Sequence, residues 1–132
     1  MDNNQKKKVD CYVIFTKSSY KHWGMRFFDK HISHVYVMIK SQGGHFWHII
    51  NPTVSCVDLG LEFVDDYPHP RQYAGPYATI LPVTAYIDTK PRWGFCFFSC
   101  TEVVKSILGI KGFWIMTPWQ LYKYLIREKS NG

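Results

Sequence analysis

The sequence predicts an α+β protein, with a small antiparallel sheet built around a hairpin over residues 34–51 and packed against helices. Three observations carry this expectation. Runs rich in β-branched and aromatic residues all fall before residue 88, whereas the helix start signals fall after residue 98. Elements segregated in that way make α+β architecture, not an alternating α/β sheet. A chain of 132 residues, 46% hydrophobic and 17% aromatic, with no internal repeat or linker, suits one domain with a substantial core.

Residues 1–9 read as a polar tail and residues 10–132 as the single domain. Residues 11–16 (CYVIFT) read as a buried strand. Residues 17–30 fit either a short helix or an apolar loop carrying Trp23, Met25, Phe27 and Phe28. The patterns at 34–40 (HVYVMIK) and 45–51 (HFWHIIN) flank Ser41-Gln42-Gly43-Gly44, with glycines where a hairpin turn needs positive φ. Pro52 lacks a ladder donor and ends the second strand. Residues 56–64 supply one short strand or two, and 65–76 a loop punctuated by Pro68, Pro70, Gly75 and Pro76. Residues 77–87 read as a strand interrupted at Pro82.

The last third turns helical. Ser99-Cys100-Thr101-Glu102 has the S-x-x-E form of a capping box, followed by Val103, Val104, Ile107 and Leu108 at helical spacing. Gly109 or Gly112 can stop that helix. A second helix opens at Thr117-Pro118-Trp119-Gln120, with a cap, a proline at the first position and a glutamine at the third. Its expected apolar face is Trp119, Tyr122, Leu125 and Ile126, and Trp114 is expected in the core.

Charge and cysteine usage narrow the function. Sixteen Lys and Arg against ten Asp and Glu give +6, a bias towards anionic partners. The basic residues form no long run, so specific nucleic-acid recognition is not expected. No apolar stretch reaches the ~18–20 residues of a membrane span, and none of the secretory kind follows Lys6-Lys7-Lys8. The expectation is therefore a chain made in the cytoplasm. Of the four cysteines, Cys11, Cys56, Cys96 and Cys100, only the last two are close, too few for a zinc site by spacing, and no metal or cofactor is expected.

Cys100 is the candidate nucleophile. With Ser99 as the cap, it occupies the first helical turn, where unpaired N–H groups and the helix dipole favour a thiolate. The competing role is that of a small buried hydrophobe. His34, opening a strand at a sheet edge, is the natural base for that thiol. A third group should orient the imidazole. With residues 41–44 as the hairpin loop, His34 lies across from Asn51; a three-residue loop brings His48 onto that face instead.

A histidine opening a hairpin, a polar residue near its far end and a cysteine at a late helix start resemble the circularly permuted branch of the NlpC-like cysteine hydrolases. These are papain-like proteins that include relatives of lecithin retinol acyltransferase. The matching stretches are Ser33-His34-Val35-Tyr36-Val37, Trp47-His48-Ile49-Ile50-Asn51-Pro52 and Phe98-Ser99-Cys100-Thr101-Glu102-Val103-Val104-Lys105. Residues 108–122 are similar to short phage-encoded members. The resemblance implies a permuted papain-like sheet on helices, with Cys100 as nucleophile, His34 as base and Asn51 or His48 as the third member. It further implies a peptide- or acyl-containing substrate, peptidoglycan peptides being one candidate, and a place in a phage virion among phage structural proteins. A non-catalytic structural or DNA-associated phage protein on the same fold is the competing expectation.

Overall fold

The computed structural model describes residues 7–17, 32–53, 56–87 and 99–132. The elements run β1 (Lys7–Thr16), β2 (His34–Lys40), β3 (Phe46–Pro52), β4 (Val57–Phe63), α1 (Pro70–Ala74), β5 (Thr79–Ile87), α2 (Cys100–Leu108) and α3 (Pro118–Asn131). The strands form one antiparallel sheet in the order β4-β3-β2-β1-β5, so the architecture is α+β. Three strands, β1, β2 and β3, are paired on both sides, and β1 and β2 are covered on both faces, which is why these two carry the apolar runs Val13-Ile14-Phe15 and Val35-Tyr36-Val37-Met38-Ile39.

Alternation along the strands divides the core in two. Val13, Phe15, Val35, Val37, Ile39, Leu81 and Ala85 face Val104 of α2 and Leu121 and Leu125 of α3. Ile14, Tyr36, Met38, Trp47 and Ile49 form the cluster on the opposite face with Ala78. Trp47 is fixed there by donating Nε1–H to the Tyr67 carbonyl at 2.7 Å. α2 packs on β2 and β5. The helix-side face of β4 has no such cover among the described residues, leaving Leu59, Leu61 and Phe63 exposed on an edge strand.

Several expectations need correction. Residues 7–9, expected in the tail, belong to β1: Lys7, Lys8 and Val9 pair with Ile87, Tyr86 and Ala85, because β5 is long enough to extend the ladder past the buried stretch. Pro82 does not interrupt β5. It pairs opposite Tyr12 on an edge strand, whose outer side needs no N–H donor. The 65–76 loop contains α1, whose capping box joins His69 and Gln72 around Pro70 at the helix start. Of the two alternatives for residues 56–64, the structure shows one strand, β4 (Val57–Phe63).

The hairpin loop is 42–45, with Ser41 N–H donating to the Phe46 carbonyl at 2.8 Å. That slides the register by two residues, so Lys40 pairs with Trp47. Among the glycines Gly109, in the left-handed region at φ 71°, ends α2; Gly112 is instead a point of close packing under Ile115. Of the expected α3 face, Leu125, Trp119 and Tyr122 do pack on the core, where Leu121 joins them fully buried, while Ile126 is 37% exposed and Trp114, in the preceding loop, 61% exposed. The expected residues Cys96, Trp23, Met25, Phe27 and Phe28 lie outside the described residues.

Candidate active site

α2 starts where the sequence placed its cap. Ser99 has extended backbone and its Oγ accepts the Glu102 N–H at 3.2 Å, while its carbonyl accepts from Val103. The capping box is half-formed: the Glu102 carboxylate does not return to Ser99 but meets Lys105 Nζ at 2.6 Å. Lys105 is itself buried and donates to the Ile115 carbonyl at 2.9 Å, tying the helix to the turn before α3. Cys100 is therefore the first residue of a well-anchored helix, partly buried, beside N–H groups that have no partner within the helix.

His34 is the first residue of β2, paired with Thr16 of β1. At that position the strand meets the rim of the sheet, so the imidazole can be approached from both faces. Its Nε2 lies 2.6 Å from Asn51 Oδ1 and donates to it. The remaining ring nitrogen is left for the Cys100 thiol, which lies near enough that each group shifts the proton affinity of the other. These assignments follow from the acceptor-only amide oxygen: an imidazole that donates through Nε2 presents Nδ1 to the sulfur.

The register explains why Asn51 takes this place although the loop differs from expectation. Sliding the hairpin by two residues keeps the side-chain alternation, so Asn51 remains on the His34 face, now diagonal to it and not directly across. His48 pairs with Ile39 on the other face and is exposed, so it is not part of the site. The sheet therefore brings together Cys100, His34 and Asn51 and leaves His48 out.

Two neighbours of the sulfur were not foreseen. The Val35 backbone and Thr101 lie near enough to the sulfur to favour its anion, although Thr101 Oγ1, fully buried, makes no hydrogen bond. No residue type signals a backbone donor in advance. Thr101 was visible only as the residue after the cysteine.

Proton affinities follow from these contacts. Burial pushes the Cys100 thiol up, yet the neighbouring His34, the Val35 backbone, the positive imidazole and Thr101 together hold it below its ordinary value. For His34 burial acts downward, and the nearby Cys100, the bond to Asn51 and the attraction of the thiolate outweigh it, so the imidazole is raised. The two shifts are complementary, as for a thiolate–imidazolium pair. Cys11 shows what burial does alone: enclosed in the core without such partners, its thiol is pushed up to about 12. Tyr36, whose ring lies 6.1 Å from that of His34, is likewise raised to about 12 by burial, with the neighbouring Tyr73 adding to it.

Among the described residues no group of three or more His, Cys, Asp or Glu side chains is placed to hold a metal ion, and no helix is long and apolar enough to cross a membrane. Comparison with protein-family models, curated proteins and solved structures found no match.

Proposed function

We propose that this protein is a cysteine-dependent hydrolase of the amidase or peptidase type, acting through Cys100, His34 and Asn51. The observation that carries the reading is an imidazole held by Asn51 at 2.6 Å beside the Cys100 thiol, with the sulfur favouring its anion and the imidazole its cation. A structural cysteine needs neither shift.

The steps follow from the geometry. His34 holds the proton of Cys100, leaving the sulfur as thiolate at the start of α2. The thiolate attacks an amide or ester carbonyl, and the carbonyl electrons move to oxygen. The backbone N–H of Cys100, in the first helical turn, is suited to receive that oxyanion. As the tetrahedral species collapses, the carbon–nitrogen or carbon–oxygen bond breaks and His34 gives its proton to the leaving group. Water, deprotonated by the now neutral His34, then cleaves the thioester and restores the thiol pair. Asn51 keeps the imidazole in the tautomer that serves both transfers.

The family resemblance and the +6 charge favour peptide substrates in an anionic setting, such as the cross-link peptides of peptidoglycan, and a phage particle as the setting. The test is incubation with activated esters, peptide amides and peptidoglycan fragments, followed by mass spectrometry of the intact chain. An acyl adduct on Cys100, with product release that vanishes in Cys100→Ser and His34→Ala, is the expected result. Absence of both adduct and product across the panel would overturn the hydrolase reading in favour of a non-catalytic virion or DNA-associated subunit.

A further inference from the structure

The chain places two aromatic residues where turns ordinarily carry small or polar ones. Between α2 and α3 the Ile115 N–H donates to the Gly112 carbonyl at 3.3 Å, closing a four-residue turn whose central positions are Phe113 and Trp114. Such positions favour Gly, Pro, Asn, Asp and Ser. Here they hold two rings in edge contact at 5.2 Å, Phe113 83% and Trp114 61% exposed, and Met116 follows at 65%. The turn is nonetheless firmly held from beneath. Ile115 is buried and its carbonyl accepts from the buried Lys105 Nζ. A Cβ on Gly112 would press on Ile115 Cδ1 at 3.0 Å, and the Met116 N–H donates to Gln120 Oε1 at 2.9 Å. Three large apolar side chains are thus presented to water from an anchored support, a costly arrangement unless something covers them.

Charge points to the cover. Lys111 is exposed beside the turn. Gln120, which grips Met116, begins an exposed face of α3 that continues with Lys123 and Arg127, three and seven residues on. The Lys123 ammonium lies 5.5 Å from the centre of the Trp119 ring. Across residues 103–132 the only acidic side chain is Glu128. A protruding tip of Phe, Trp and Met bordered by cations suits the interface of an anionic bilayer. There the rings and the thioether enter the boundary between headgroups and acyl chains, while Lys and Arg stay with the lipid phosphates. A nucleic-acid strand would use the rings and the cations but would gain little from Met116. We propose that this turn docks the protein on an anionic lipid surface. The docking is peripheral, since no helix among the described residues is long and apolar enough to cross a bilayer. The turn follows the C-terminal end of α2, whereas Cys100 opens that helix, so docking is separate from the hydrolase chemistry and does not depend on it.

The experiment is co-sedimentation of the full chain with vesicles of equal parts phosphatidylglycerol and phosphatidylcholine, and with phosphatidylcholine alone. Wild type is compared with Phe113→Ala/Trp114→Ala, Trp114→Phe and Lys123→Gln/Arg127→Gln, with a thermal melt of each. Wild type is expected to partition onto the anionic vesicles and about tenfold or more weakly onto the neutral ones. Raising salt from ~0.1 to ~1 M, which shortens the screening length from ~10 to ~3 Å, should release it. Loss of both rings should lower the partition coefficient about tenfold or more, and loss of both cations about tenfold. Trp114→Phe should stay within about threefold of wild type. All variants should melt with wild type, because the altered side chains are exposed or, for Lys123 and Arg127, lie on the exposed face of α3. Should the double ring variant fail to fold, Phe113→Ser reads the loss of one ring. Binding to anionic vesicles that survives the loss of both rings would overturn the proposal. A wild type that ignores both vesicles, but self-associates or binds single-stranded DNA through the same rings, would overturn it in favour of a protein or nucleic-acid contact.

Discussion

Replacing Asn51 by alanine removes the oxygen that accepts the Nε2–H of His34 at 2.6 Å. A hydrogen bond to a charged group contributes roughly 1.5–3 kcal/mol. Both partners are only partly buried, so water can replace some of that bond, and about 1 kcal/mol is the net loss expected once solvent screening is allowed for. The dependence on pH has a definite sign. Because the folded protein raises the imidazole, the stabilisation is fully present below the unfolded value of ~6.5 and fades as pH rises through the folded value. Asn51→Ala should therefore lower the melting temperature by about 3–5 °C near pH 6 and by less near pH 9. The His34 titration, followed by the ring Cε1–H resonance in NMR, should move down towards the ordinary range. A titration curve superimposable on that of wild type would refute the assignment of Asn51 as orienting group, most decisively if His48→Ala shifted it instead.

Three further outcomes follow from the same structure. His48→Ala, exposed on the other face, should leave both Cys100 alkylation and urea stability within about 0.5 kcal/mol of wild type. Lys105→Met should cost about 2–3 kcal/mol in urea denaturation, since it strands the Ile115 carbonyl and releases Glu102, which is exposed enough to regain water. Leu121→Ala should cost ~2–5 kcal/mol by the cavity it leaves, whereas Ile126→Ala, at 37% exposure, should cost clearly less; equal losses would contradict the observed face of α3.

The hairpin shows how far local rules reach. Ser41 through Gly44 announce a turn and the flanking residues announce strands, yet loop 41–44 and loop 42–45 satisfy the same local chemistry. The choice between them rests on which residues Trp47 and Ile49 can bury against Ile14 and Met38, a cluster drawn from three strands. The face of Asn51 survived because a slip of two residues keeps parity. A slip of one would have delivered His48.

Helix starts were legible for a different reason. Ser99 and Thr117 satisfy orphan N–H groups within three residues of themselves, so their role is complete in the local sequence. Cys100 and His34 could thus be singled out one at a time by residue type and position. On α3 the local pattern places Trp119, Tyr122 and Leu125 on the core side, but Leu121 and Ile126 are equally apolar at its two margins, and only packing against the core buries the first and leaves the second exposed.

By itself the sequence determined the α+β class, the antiparallel hairpin, the caps of α2 and α3 and the first-turn position of Cys100, since each depends on interactions among residues close in the chain. Tertiary structure alone decided the rest. It brought His34 at the rim of β2 to a thiol 66 positions later and matched Asn51 and not His48 to the imidazole. It also set the proton affinities: Cys11 and Cys100 are both thiols removed from water, and only the partners delivered by other elements push one up and hold the other down.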